Sequence, residues 1–421
     1  VRSLYRIAVV VAFLLYLPSI AWRLVTRPPC REGFLQKLGF GVPRSPAGTV
    51  WVHAVSVGEA VTAAPLVRRF VDAGRPVVVT VSTPTGRDVA RQKMGEGVTI
   101  AYFPFDLGFA VARSVTRFNP ALFVVVDTEL WPEVIWRAKE AGAKVAMVNG
   151  RISDRSYPRY AKLRPFFRRV FDAVDLSLTQ SAADAARLVH IGADPAKVAV
   201  AGNMKFDTAV DPVSPDERAA LRASLGIPAD AKVIFLGSVH QGEGGAVRAA
   251  VTVAQETGAR IVIAPRRIEK IDWIETLLTP AGYRAVRKTA FGAAPPTGAS
   301  AVPIIDTFGE LTKLYAVADL VFVGGSMNGH GGQNPLEPAA HGTPVLFGPS
   351  MENFREGVAA LTADGGGQTV ADEAALADRM RQLLADPTDA LRRGAAARRV
   401  VAENRGVVDR VFLRLTELID E

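Results

Sequence analysis

The sequence predicts an α/β chain of two doubly wound, Rossmann-like domains in tandem, preceded by a hydrophobic helix. Three observations carry this. Short valine-rich runs recur from residue 49 onward and alternate with amphipathic stretches long enough for crossover helices, the pattern of buried parallel strands. The alternation breaks once, at a proline-bearing stretch without an apolar run, and then resumes. At 421 residues the chain exceeds what one ordinary core organises.

The elements follow in order. Residues 7–22 (IAVVVAFLLYLPSIAW) carry no charge and lie between Arg6 and Arg23. A membrane span needs about 20 apolar residues, with roughly 17 as the lower limit, so the run falls just short, although flanking arginines can snorkel to the interfaces. No small-x-small cleavage site follows; instead come Trp22 and the basic residues Arg23, Arg27 and Arg31. A membrane anchor over residues 1–28, spanning or lying in the interface, is therefore expected, with the rest of the chain on the cytoplasmic side.

Residues 29–206 form the first domain, with strands expected at 49–55, 76–82, 98–103, 121–127, 143–149, 176–180 and 197–202. Residues 207–217 (DTAVDPVSPDE) read as the linker. The second domain, 218–400, has strands expected at 232–237, 259–265, 301–306, 319–325 and 343–348, with a flexible loop at 291–300. A C-terminal helix is expected over 401–421. Two such domains facing a central cleft describe the GT-B architecture, and other two-domain α/β folds satisfy the same pattern. Ligands of these sheets sit outside the strand C-termini, so the loops there should carry the chemistry.

The net charge of +8 favours acidic partners: nucleic acid, anionic lipid or a phosphorylated substrate. The single Cys30 excludes an internal disulfide framework and fits a reducing compartment. The five histidines show no paired zinc-ligand spacing, and no metal site is expected.

Several loops are candidates. In HAVSVGEA (53–60), Ser56 and Glu59 have capping-box spacing, and a carboxylate at a strand end can also take a proton from an incoming hydroxyl. The helix start argues against that second role, because it favours the charged form and lowers basicity. In DTELWPE (127–133), Asp127, Glu129 and Glu133 invite a divalent-ion reading that no histidine or further acidic loop supports, and Trp131-Pro132 marks a helix start. Lys205, directly after a strand and Gly202, is placed to offset developing negative charge.

In the second domain, GSVHQGEGG (237–245), APRR (264–267), DTFGEL (306–311) and GGSMNGHGGQNPLE (324–337) each follow a strand. Glycine-rich turns before helices offer backbone N–H groups to phosphate, so a nucleotide site is expected there. Thr307 and Glu310 are also spaced as a capping box. None of these loops matches G-x-G-x-x-G or the P-loop, which counts against NAD and ATP. Finally, RSYPRYAKLRPFFRRVF (155–171) interleaves bases with aromatics, suited either to an anionic surface or to a solvated helix with a core-facing aromatic side.

Taken together, HAVSVGE, TELWP, NGRISDRSY, GNMKFD, GELTKLYAVADLVFVGGS and GGQNPLEPAAHGTPVLFGP, in this order behind a hydrophobic N-terminus, resemble the 3-deoxy-D-manno-octulosonic acid (Kdo) transferases of Gram-negative lipopolysaccharide biosynthesis. The resemblance implies an inverting, metal-independent GT-B glycosyltransferase without a cofactor. It would use CMP-Kdo as donor and the tetraacylated lipid A precursor as acceptor, anchored at the inner membrane with its catalytic domains in the cytoplasm. It implies Glu59 as general base, with Glu129 and Lys205 stabilising the transition state. Pro265, Arg266, Gly309, Glu310, Leu311, Ser326, Asn334, Pro335, Leu336 and Glu337 would hold the nucleotide. An anionic membrane surface is expected as partner and nucleic acid is not; no oligomeric state is specified. The chain departs from the family at GSVHQGE, PRR, GGQN and GPS, where relatives usually read G-S-T-H-E-G-E, P-R-H, G-G-H-N and G-P-H. These changes bear on the donor rather than on the proposed base.

Overall fold

The computed structural model describes residues 1–26, 28–209, 211–292 and 295–420; Arg27 and the side chain of Cys30 lie outside the described residues. The chain forms two compact units, one of residues 1–208 with 406–421 and the other of residues 209–405.

The first unit is a seven-stranded sheet: β1 Thr49–His53, β2 Val77–Val81, β3 Val98–Tyr102, β4 Pro120–Val126, β5 Lys144–Gly150, β6 Leu176–Thr179 and β7 Val198–Val200, in the order β3-β2-β1-β4-β5-β6-β7. Every pairing is parallel, with Val52 opposite both Val79 and Val124. Alternate side chains serve two cores, as a sheet covered on both faces requires. Val50, Val52, Val124 and Val148 pack against the helix Val57–Asp72, while Trp51, Phe123, Val125 and Met147 pack against Val134, Ile135 and Trp136.

The final helix, Val407–Asp420, completes the first core rather than standing alone. Its Val407, Val411 and Leu415 recur at helical spacing and are buried. The Asp207 carboxylate accepts hydrogen bonds from Gly406 N (2.7 Å) and Val408 N (2.5 Å), which fixes this helix start on the first unit. Asp207 thus belongs to a short 3-10 turn, Met204–Thr208, and Pro215–Glu217 open the helix Pro215–Ser224. Both ends of the expected linker are structured, and Val210 within it lies outside the described residues.

The second unit repeats the design: β8 Val233–Val239, β9 Arg260–Pro265, β10 Arg284–Arg287, β11 Ala301–Ile304, β12 Leu320–Val323, β13 Val345–Phe347 and β14 Gly367–Thr369, in the order β10-β11-β9-β8-β12-β13-β14. The two strands that pattern reading misses, β10 and β14, are the edges. One is largely exposed with an arginine at each end, and the other is three residues long. Neither carries a buried valine run.

In both sheets the strand order reverses beside the first strand, between β1 and β4 and between β8 and β12. Those reversals are where open α/β sheets bind ligands. The first turn of the helix that follows β1 carries Glu59, the loop after β4 carries Asp127 and Glu129, and the loops after β8 and β12 carry residues 240–243 and 324–335. Gly324 is required here by close approach, because a Cβ would lie 2.5 Å from the Ser238 carbonyl oxygen.

Candidate functional site

In the first unit, Ser56 caps the helix Val57–Asp72 and accepts from Glu59 N at 3.3 Å. The Glu59 side chain turns back, accepting from Val55 N at 2.7 Å and from Ser56 Oγ at 2.8 Å. This is the reciprocal capping box of the sequence reading. Its expected effect on basicity is overturned. Burial, with the nearby Asp127 carboxylate and a smaller contribution from Glu129, outweighs the two hydrogen bonds and pushes the Glu59 carboxyl up to about 7. Glu59 therefore both caps the helix and carries a carboxyl that titrates near neutrality rather than in the ordinary carboxylate range.

Glu129 is raised as well, first by burial and then by Asp127; the Trp131 indole N–H offsets this in part, without a hydrogen bond of good geometry. Asp127 has a left-handed backbone (φ 57) and is held by Asn149 Nδ2 at 2.7 Å, with Arg151 Nε at 3.6 Å. Asn149, also left-handed (φ 56), accepts from Met204 N through its Oδ1. Its carbonyl accepts from Gln180 Nε2, while Gln180 Oε1 accepts from Asn203 Nδ2. Asn203 Oδ1 in turn accepts from Lys205 N. One polar chain thus ties the loop of Asp127 and Glu129 to the turn that carries Lys205. Sequence reading named the ends of this chain; Asn149 entered it only as the first residue of NGRISDRSY, with no role, and Gln180, directly after β6, was missed because it has no motif character.

Glu133 separates from the other two carboxylates. Its side chain is buried, and despite that burial the Arg6 and Arg2 guanidiniums hold it below the usual carboxylate range, with Arg137 paired to it as well. Among the described residues no group of three His, Cys, Asp or Glu is arranged to hold a metal.

In the second unit, the loops after β8, β9 and β12 and the helix Asp272–Leu278 line a cavity of about 270 Å³ with His240, Gln241, Pro265, Arg266, Arg267, Lys270, Trp273 and His330. Three cations beside an indole make a site for an aromatic anion. Pro265 and Arg266 were expected here. Gln241 lies in the expected loop 237–245 without having been named, while Lys270 and Trp273 were not expected, since the helix that brings Trp273 back, Asp272–Leu278, carries no motif.

The other expected nucleotide residues have different partners. The N–H groups of Gly325, Ser326 and Met327, together with that of His240, are directed at the buried Glu243 carboxylate at 2.7–3.0 Å. The glycine-rich loop is thus an anion cradle already filled by a side chain of its own chain. Ser326 is fully buried, donating to Val323 O and accepting from Gly348 N, and braces the loop rather than facing a ligand. The helix at Leu336–Ala340 is one turn long, and Asn334 Oδ1 takes the Leu336 N–H, so this helix start offers phosphate less than its sequence suggested. Pro335 is its cap residue, and Glu337 Oε1 accepts from Asn334 Nδ2 at 3.1 Å. Glu310 stands at the N-cap position of the short helix Leu311–Leu314 without a side-chain capping hydrogen bond and is paired with Lys288 at 2.8 Å; Thr307 also donates to it, so an ion pair stands where the capping box was expected. Gly309 before it is left-handed (φ 87).

A sequence profile for the family described as 3-deoxy-D-manno-octulosonic-acid transferase (kdotransferase) matches residues 32–208. The chain is 32% identical over 401 residues to the 3-deoxy-D-manno-octulosonic acid transferase of Bordetella pertussis, covering 93% of this chain and 91% of that protein. To the Haemophilus influenzae enzyme of the same description it is 29% identical, covering 92% of each. A bifunctional glycosyltransferase/methyltransferase of Fusobacterium nucleatum is 33% identical over 307 residues, which is 72% of this chain and 48% of that protein. Among solved structures, a glycosyltransferase from Rickettsia africae covers 90% of this chain with a TM-score of 0.61 at 12% identity, aligned over 100% of its own length. The UDP-GlcNAc 2-epimerase of Neisseria meningitidis covers 88% of this chain and 99% of itself, with a TM-score of 0.59 at 14% identity. At such identities the likeness is one of fold, the GT-B arrangement of two Rossmann-like domains.

Proposed function

Because the chain belongs to the 3-deoxy-D-manno-octulosonic acid (Kdo) transferase family of glycosyltransferases, we propose that it transfers Kdo from CMP-Kdo to the tetraacylated lipid A precursor, with inversion at the anomeric carbon. The observation that carries this reading is Glu59, a carboxyl in the first turn of the helix that follows β1, raised to about 7 by burial and by Asp127. A base is most effective when its pKa lies near the working pH.

In this mechanism the Glu59 carboxylate takes the proton of the acceptor hydroxyl as that oxygen bonds to the anomeric carbon. The bond from the anomeric carbon to the phosphate oxygen breaks, and CMP leaves with the electron pair. Glu129 stabilises positive charge developing on the sugar, and Lys205 the negative charge of the leaving phosphate. The second unit holds the donor: Arg266, with Arg267 and Lys270, meets the phosphate, and Trp273 walls the cavity. Glu337 receives the ribose hydroxyls, Asn334 and the Gly309–Leu311 turn shape the nucleotide's surroundings, and no metal takes part. The enzyme works at the cytoplasmic face of the inner membrane of a Gram-negative cell, where its insoluble acceptor lies.

The test is CMP release from CMP-Kdo with and without the lipid A precursor, followed by mass spectrometry of the lipid. Acceptor-dependent release with a Kdo-sized mass gain supports the reading. Competition by UDP rather than CMP, or release without a lipid product, overturns it.

A further inference from the structure

We propose that the N-terminal helix is an in-plane anchor, clamped lengthwise to the first unit, whose outer face enters one leaflet of an anionic bilayer without spanning it. The proposal rests on the membrane reading above and specifies its geometry.

The helix Arg2–Thr26 is long and apolar enough to cross a membrane by length and composition alone. Its first turn, however, is bound into the unit. Arg6 makes a two-pronged pair with Glu133 at 2.9 and 2.8 Å, and Arg2 reaches both Glu133 and Glu140. The Glu133 side chain is fully buried, so releasing these arginines would leave an uncompensated buried charge. Tyr5 donates to Asp106 at 2.5 Å, and Asp106 in turn caps the helix Pro132–Glu140 through Glu133 N and Val134 N. The Tyr5 ring packs 5.8 Å from Trp136 and 5.6 Å from Phe166.

The clamp continues along the helix. Phe13 lies 5.4 Å from Phe105, which also meets Phe34 beyond the helix. Besides Arg2 and Arg6, the partly covered positions are Tyr5, Val9, Phe13, Ile20 and Leu24, at the four- and seven-residue spacing of one helix face. Leu4, Ile7, Leu15, Trp22 and Val25 on the remaining surface are exposed by 62–76%. A helix of 25 residues is about 37 Å long. If it left the body after Phe13, about 20 Å would remain, against a hydrocarbon core of about 30 Å. A helix held at Arg2 and at Phe13 cannot also span. It can lie in the interface with its bare apolar face in the acyl boundary.

The occupant of that face follows from charge. Phe166, which meets Tyr5, belongs to the helix Arg164–Phe171, whose Arg164, Arg168 and Arg169 are exposed. Bases beside an apolar stripe complement anionic headgroups.

The experiment uses the full chain with Cys30→Ser, carrying Ser3→Cys or Thr26→Cys, probed with a membrane-impermeant maleimide. Both cysteines are expected to react in inverted membrane vesicles, and neither in right-side-out vesicles. Reaction of either from the outer face, or protection of either in inverted vesicles, overturns the in-plane anchor. Flotation of the purified chain with phosphatidylcholine vesicles, with and without phosphatidylglycerol, is expected to show several-fold more binding to the anionic set. That preference should fall several-fold in Arg164→Glu/Arg168→Glu; equal binding to both sets overturns the choice of occupant. Kdo transfer to detergent-dispersed acceptor, measured on the same proteins, reports on the activity independently of topology, so failure of one reading is distinguishable from failure of the other.

Discussion

Replacing Glu59 by glutamine separates the charge of this side chain from its hydrogen bonds. The amide still accepts from Val55 N, and the Ser56 hydroxyl can rotate to receive its N–H, so the helix cap survives. The carboxyl moves from an ordinary 4.5 to about 7 in the fold, which at 1.36 kcal/mol per pH unit is roughly 3 kcal/mol. Because the folded-state value is raised, the bound proton stabilises the fold fully below about 4.5, and this contribution is lost as the pH rises through about 7. Glu59→Gln should match the parent at pH 4 and exceed it by up to ~3 kcal/mol at pH 8.5, read from urea unfolding at each pH. The same variant should lose about 10² to 10⁴ in kcat. In the parent, log kcat/KM should climb with unit slope and level off above about pH 7. An acid limb bending near 4.5, a stability gap independent of pH, or near-full turnover in Glu59→Gln would refute the assignment of this carboxylate as the base.

Asp127→Asn removes the larger of the two neighbouring charges and should shift the acid limb of that profile to lower pH, at unchanged CMP affinity. Asn149→Ala cuts the chain between Asp127 and the turn of Lys205; kcat should fall at least tenfold while CMP binding to the second unit, measured by calorimetry, stays constant. Arg266→Ala should weaken CMP binding about tenfold to a hundredfold and flatten its salt dependence. Glu243→Ala strips the acceptor from four backbone N–H groups and should destabilise the fold by at least ~3 kcal/mol in urea titration.

Much of this was legible in the sequence because it is local. Valine runs bounded by turn residues mark buried parallel strands whatever their partners, and Ser56 with Glu59 marks a helix start by spacing alone. Edge strands lack that signature: Arg284–Arg287 is held by pairing to β11, not by a buried face, and no run betrays it. Trp273 joins Arg266 because the helix Asp272–Leu278 folds back onto the strand end, and Gln241 because the loop after β8 lies beside it.

What the sequence determined by itself was therefore the alternation, the two doubly wound sheets and the candidate carboxylates, since each depends on neighbours a few residues away. Tertiary structure decided the rest, because charge and burial act through space. It raised the Glu59 carboxyl to about 7 although its helix position argued for the opposite shift. It gave the glycine-rich loop to Glu243 instead of leaving it open. It joined the last helix to the first unit through Asp207. And it turned Arg6, which read as a flank of a hydrophobic run, together with Arg2, into the partners of a buried carboxylate more than a hundred residues away.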